Sequence, residues 1–263
     1  MNEFLGIAAH ELRTPITVIK ANLQMLVRRA VIVNERASAT ERITVEPLWL
    51  TRHAELLART EKSLTRLTRL VDDLLDVSRV RAGKLEMRIE PAELAEIAGD
   101  AVDEQRMAAP DREITLDLPV GQPTTICGDA ERVEQVITNY LTNALKYSVA
   151  TRPVRVQLWR DGAMLYVGVT DEGPGIPPEH QEQVWGLFQR APGIEVVSGS
   201  GIGLGLGLHL CKTLIERQGG HVGVASAPGQ GSTFWLSLPL CDAAPDESPP
   251  RSEDERSLQH DLT

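Results

Sequence analysis

Cysteine is scarce in this 263-residue chain: Cys127, Cys211 and Cys241 are all there is, an odd number with no C-x-x-C spacing. That argues against a disulfide framework and against a structural zinc site, and it fits a reducing cytoplasm. Long apolar runs are also missing. No stretch reaches the roughly 18 apolar residues of a membrane span, and the N-terminus lacks the basic-then-apolar order of a secretory signal. The chain therefore reads as soluble and cytoplasmic as given, with room for an inner-membrane or sensory region upstream. Positive charge is in deficit, 27 Lys and Arg against 37 Asp and Glu. A formal net charge of -10 argues against a nucleic acid as main partner and means that a bound nucleotide needs local compensation from magnesium. The common phosphate loops are absent too: there is no G-x-x-x-x-G-K-[ST], and no G-x-G-x-x-G can be drawn through the densest glycine run.

What is present is enough for two domains, with 42% hydrophobic residues to fill their cores. Leu5, Leu12, Ile16, Ile19, Leu23, Leu26 and Ala30 recur at steps of three and four, which predicts one helix over about residues 3–31. His10, Thr14, Thr17 and Ala21 fall on a separate face. Pro15 sits inside this helix, where its missing N–H and its ring cost roughly 3 kcal/mol, a price that argues for a function at the kink. Residues 33–47 read as a loop or frayed end. A second helix over 48–80 carries Leu57, Thr60, Leu64, Leu67, Val71, Leu74 and Ser78 in a heptad. Two such antiparallel helices cannot bury both seams alone, so a homodimeric four-helix bundle is expected. Gly83 ends the second helix, and residues 81–91 form a linker after a first domain of residues 1–80.

Residues 92–240 read as mixed α and β. Helix is expected over 91–107, 129–147 and 206–218, and strands over 113–118, 154–159, 164–170, 221–226 and 233–238. Hairpin turns fall at Asp161-Gly162 and Pro228-Gly229. The fold class is thus α+β in two domains, a helical hairpin followed by an α/β sandwich with a mixed sheet. From Cys241 to Thr263 the chain is acidic and proline-bearing, and reads as a disordered tail.

Three separated stretches of the second domain suit a nucleotide. Gln135, Asn139, Asn143 and Lys146 form a polar stripe on one helix, offering hard amide oxygens for magnesium and a point charge for phosphate. Asp171-Glu-Gly173-Pro-Gly175-Ile176 closes a strand, where a carboxylate accepts from a base amino group and the glycines admit a flat ring. The run SGSGIGLGLGL places glycine at every second position from Gly199 to Gly207, with amides free to line a polyphosphate ahead of a helix.

On these residues the chain resembles the sensor histidine kinases of two-component systems. HELRTPIT resembles that family's H-box, NYLTNALKYS its N-box, DEGPGIP its first glycine box, VWGLFQR its F-box and GLGLGLHLCKTLIERQGG its second glycine box, covering about residues 3–240. The resemblance implies a dimerisation and phosphoacceptor bundle followed by a Bergerat-fold ATP-binding domain. It implies that His10 is phosphorylated, that Glu11 assists its ring nitrogen, and that Thr14 holds the position used in dephosphorylating a regulator. Asn143 matches the magnesium ligand, with Asn139, Lys146 and Tyr147 beside phosphates and ribose. Asp171 matches the adenine contact, supported by Gly173 and Gly175. Phe188 and Arg190 fall in the ATP lid, with Gly203, Gly205, Gly207 and Leu208 in the phosphate-contacting loop. The implied reaction moves the γ-phosphoryl of ATP to His10 and then to an aspartate of a response regulator, with a phosphatase activity left open.

Overall fold

The computed structural model describes residues 2–39, 47–189 and 204–241. Two long helices, α1 (Asn2–Ala39) and α2 (Pro47–Arg81), pack side by side as a hairpin. The first extends eight residues past the boundary expected from its apolar periodicity (residue 31), taking in the first part, residues 33–39, of the stretch read as a loop. It runs as continuous helix through the buried Pro15. The heptad leucines do not supply the buried face of this hairpin: Leu57, Leu64 and Val71 are 56%, 54% and 40% exposed, while Leu56, Leu70 and Val77, one position away, are buried. Part of the predicted seam, Leu57, Leu64 and Val71, therefore faces outward, and Ile16, Ile19, Leu23 and Val27 line a shallow groove with Leu64 and Leu67.

The second helix stops at Gly83, whose φ of +66° suits a residue without Cβ, with Lys84 N–H donating to the Arg79 carbonyl. Beyond the linker the order is β1 (Glu90–Glu93), α3 (Leu94–Ala108), β2 (Ile114–Asp117), β3 (Thr125–Gly128), α4 (Ala130–Tyr147), β4 (Val154–Asp161), β5 (Met164–Asp171), α5 (Pro178–Gln181), α6 (Gly207–Glu216), β6 (His221–Ser226) and β7 (Ser232–Pro239). Five strands form a mixed sheet in the order β2-β4-β5-β7-β6, parallel only between β2 and β4. Strand alternation sorts the residues: Val154, Val156 and Leu158 of β4 point into a core with Leu165, Val167, Leu236 and Leu238. Helices α3, α4 and α6 cover that face with Val102, Ile137, Leu141 and Leu214.

Two expectations are corrected here. Residues 90–93, expected as the end of the linker and the start of a helix, form instead the strand β1, which pairs antiparallel with β3 in a two-stranded sheet. Cys127 and Cys241 are joined as a disulfide, where the odd cysteine count had argued against a disulfide framework, and only Cys211 is free. The reason is long-range: Cys241 N–H donates to the Thr125 carbonyl and Leu240 bridges to Ile126, so the end of β7 runs beside β3 across 114 residues of sequence. Of the segment read as a tail, residues 242–263 lie outside the described residues. Among the described residues no helix is long and apolar enough to cross a membrane.

Candidate functional site

Helix α4 begins at Asp129, whose carboxylate accepts from the Arg132 amide at 3.2 Å and from the Arg88 amide of the linker at 2.9 Å. Its apolar side, Val133, Val136, Ile137, Tyr140, Leu141 and Ala144, is buried on the sheet, which turns Asn139, Asn143, Lys146 and Tyr147 toward a cavity of about 310 Å³. Asn143 donates its Nδ2–H to Asn139 Oδ1 at 2.9 Å, which leaves the Asn143 carbonyl oxygen for another partner. Lys146 lies 4.7 Å over the Tyr147 ring. Gln135, one turn earlier on the same stripe, does not join them: it donates to Asp76 of α2 at 3.2 Å.

The opposite wall is the loop after β5. Asp171 is 5% exposed and accepts the Gly173 amide at 2.7 Å. Burial lifts its carboxyl to about 6, while the amides of Gly173 and Ser232 and the charge of Arg112 pull it down. Backbone crowding explains the glycines. A Cβ on Gly173 would stand 2.8 Å from the Tyr147 carbonyl, and one on Gly175, at φ +72°, would stand 1.9 Å from the Ala227 carbonyl oxygen. Ser226 Oγ ties this loop down by accepting the Ile176 amide at 2.7 Å and donating to Gly231.

The third wall is the entry to α6. Gly205 has φ +70° and accepts the Phe188 amide at 3.0 Å, and a Cβ on Gly207 would press on Asn139 at 2.4 Å. Gly205, Gly207 and Leu208 all line the cavity. Phe188 does not: at φ +62° it packs with Leu187, Leu204 and Leu206 against Leu70, Leu74 and Val77 of α2. Arg190 and Gly203 lie outside the described residues.

Helix α2 closes the cavity, which the sequence did not announce. Arg66, Arg69, Leu70 and Asp73, spaced along one face, line it beside Asn143 and Lys146. Arg69 donates to Thr142 Oγ1 at 3.2 Å, and the buried Asp76 accepts Arg132 at 2.9 Å. The signal available in advance was a charged row interrupting the heptad. Arg66 also pairs with Glu11 at 2.9 Å, which brings α1 to the rim. His10 precedes Glu11 in α1, with its side chain outside the described residues, and Thr14 follows one turn on.

Comparison with known proteins finds two family models. "His Kinase A (phospho-acceptor) domain" matches residues 1–83, and "Histidine kinase-, DNA gyrase B-, and HSP90-like ATPase" matches residues 128–242. The Mycobacterium tuberculosis protein named "Probable sensor histidine kinase TcrY" is 33% identical over 251 residues, 95% of this chain and 48% of that protein. The full-length ShkA structure in complex with AMPPNP superposes with a TM-score of 0.60 at 22% identity, over 88% of this chain and 47% of that one. Histidine kinase ThkA in complex with the response regulator TrrA gives 0.58 at 19% identity, over 91% and 61%. The chain spans about half or less of the length of the first curated relatives it matches.

Proposed function

This chain belongs to the sensor histidine kinases, and on that premise we propose that it is an ATP-dependent protein-histidine kinase phosphorylating its own His10. Phosphoryl transfer asks mainly for positioning and charge neutralisation. Asp171 accepts a hydrogen bond from the adenine amino group, and Gly175 lets the ring approach the backbone. The Asn143 carbonyl oxygen, left over from its bond to Asn139, suits a magnesium ion, and no carboxylate crowds it from that neighbour. A magnesium ion held there would supply neutralisation of the phosphate charge. Lys146, with the Gly205 and Gly207 amides, orients the phosphates toward α1. Glu11 holds one nitrogen of His10 and stabilises the positive charge that develops as the other attacks the γ-phosphorus, with ADP leaving.

The observation that carries this reading is Arg66. It lines the cavity beside Asn143 and Lys146 and holds Glu11, the neighbour of His10, at 2.9 Å. Donor site and acceptor helix thus share one rim. From phosphohistidine the phosphoryl group passes to an aspartate on the receiver domain of a response regulator, and Thr14 serves the opposing phosphatase reaction by positioning the water that hydrolyses the aspartyl phosphate to aspartate and inorganic phosphate. ThkA bound to a response regulator supports that partner class. The outward Leu57, Leu64 and Val71 support a homodimeric bundle that covers them.

Incubation with γ-labelled ATP tests the assignment. The expected product is acid-labile, alkali-stable label on the parent protein and none on His10→Gln, which retains ATP binding. Label on that variant would remove His10 as acceptor, and release of free phosphate alone would make the chain a hydrolase.

A further inference from the structure

Arg112 stands in the turn between α3 and β2, away from every motif read in the sequence, and does not line the cavity. Its guanidinium is nonetheless spent on the end of α4. Nη1 donates to the Leu145 carbonyl at 3.3 Å and to the Ser148 carbonyl at 3.2 Å, while Nη2 donates to Ser148 Oγ at 2.6 Å and to the Arg152 carbonyl at 3.4 Å. Ser148 in turn donates through Oγ to the Ala144 carbonyl at 2.6 Å. A planar cation with a rigid fork is suited to the carbonyls of a helix C-terminus, where the helix dipole is negative. The turn so fixed is the one that carries Lys146 and Tyr147, and its Tyr147 carbonyl sits against Gly173 with no room for a Cβ.

We propose that Arg112 is a positioning residue for the nucleotide: its fork locks the last turn of α4 against the Asp171–Gly175 loop and fixes the distance between the two ends of the ATP site. The inference rests on the reading above, in which Asp171 takes adenine and Asn143 the metal. The Nε of Arg112 is buried without a partner, so its orientation is set by the two Nη groups. A second effect follows from its charge. Arg112 favours the ionised form of Asp171, and Asp171 in turn offsets the burial that lowers the pKa of Arg112. The other groups facing Asp171 are the uncharged amides of Gly173 and Ser232. Lys146, Arg66, Arg69 and Asp73 are the remaining charged groups of the cavity, and Arg152 pairs with Glu172 beside the loop.

Geometry and charge separate in two variants of the full chain, Arg112→Lys and Arg112→Met, with ADP and magnesium titrated by calorimetry between about pH 5 and pH 8. Both variants lose the fork, and each is expected to bind ADP about tenfold more weakly at neutral pH. Only Arg112→Met also loses the charge, so its affinity midpoint moves upward from about 6 while that of Arg112→Lys stays. If Arg112→Met does not fold, the affinity of Arg112→Lys still decides the positioning role. Parental affinity in a folded Arg112→Lys overturns the proposal, as does an equal midpoint in both variants. Asp171→Asn run alongside separates the two failures: unchanged affinity there sinks the site itself, whereas lost affinity there with parental Arg112 variants sinks only the positioning role.

Discussion

The carboxyl of Asp171 is where a single residue sets the pH behaviour of the site. In the proposed site the adenine amino group would need the ionised, accepting form, and burial has lifted the group from 3.8 to about 6. ATP affinity is therefore expected to be full at neutral pH and to fall as pH drops through about 6, by about tenfold at pH 5, where roughly one group in eleven is ionised. The sign for stability is opposite. Between 3.8 and about 6 the folded, ligand-free chain holds this proton more firmly than the unfolded chain, so the group's contribution declines as pH rises through that window. Calorimetry with an ATP analogue across the window is the check, and flat affinity would remove Asp171 from the base contact. Asp171, Asn143 and Lys146 were legible because each belongs to a compact stretch whose spacing matches a helix face or a strand end. Ser232, Ser226 and Arg112 were not, since their parts depend on distant segments meeting at the Asp171 loop and at the end of α4.

Among elements, the β6–β7 hairpin shows how far a turn reaches. Gly231, at φ +79°, opens β7, and a Cβ there would fall 1.9 Å from the Asp171 carbonyl oxygen. Gly229, two residues earlier at φ +77°, has open space around it. Gly231→Ala is expected to cost roughly 2–4 kcal/mol and to abolish nucleotide binding, whereas Gly229→Ala costs about 1 kcal/mol and leaves binding intact. Urea denaturation with parallel ATP titration measures both, and equal losses would mean that the clash with Asp171 is relieved elsewhere. The hairpin itself was expected from Pro228-Gly229, and α4 from its cap at Asp129. The four-residue strands β1 and β3 were missed because segments so short carry no period, and their pairing joins Pro91 to Cys127 across the sequence. Helix α1 was underestimated because the apolar repeat ends before the helix does.

The whole molecule is held in a docked arrangement by α2. Leu70 and Val77 pack with Leu204 and Leu206, Asp76 pairs with Arg132, and Asp73 is buried enough to be pushed up to about 6. Burial is the main cause, with Asp76 and Asp72 adding to it and Arg69 opposing. The docked form therefore takes up a proton on Asp73 more readily than an undocked one, and docking tightens as pH falls through about 6 and loosens above it. Asp73→Asn, uncharged throughout, is expected to be more compact than the parent at about pH 7.5 and indistinguishable from it at about pH 5. Small-angle scattering reads this as radius of gyration, and an equal radius at both pH values would detach Asp73 from docking. None of this was readable beforehand: a heptad pattern reports the face that repeats, and the face that meets the second domain repeats only in part.

The bond between Cys127 and Cys241 turns residues 128–240 into a covalently closed ring. One peptide-bond cut inside that ring leaves both pieces attached until a thiol is added. A cut between α2 and β1 instead lets the helical hairpin go at once. Electrophoresis with and without reductant thus tells from which side of Cys127 a protease has entered, and a nicked chain can keep the migration of an intact one.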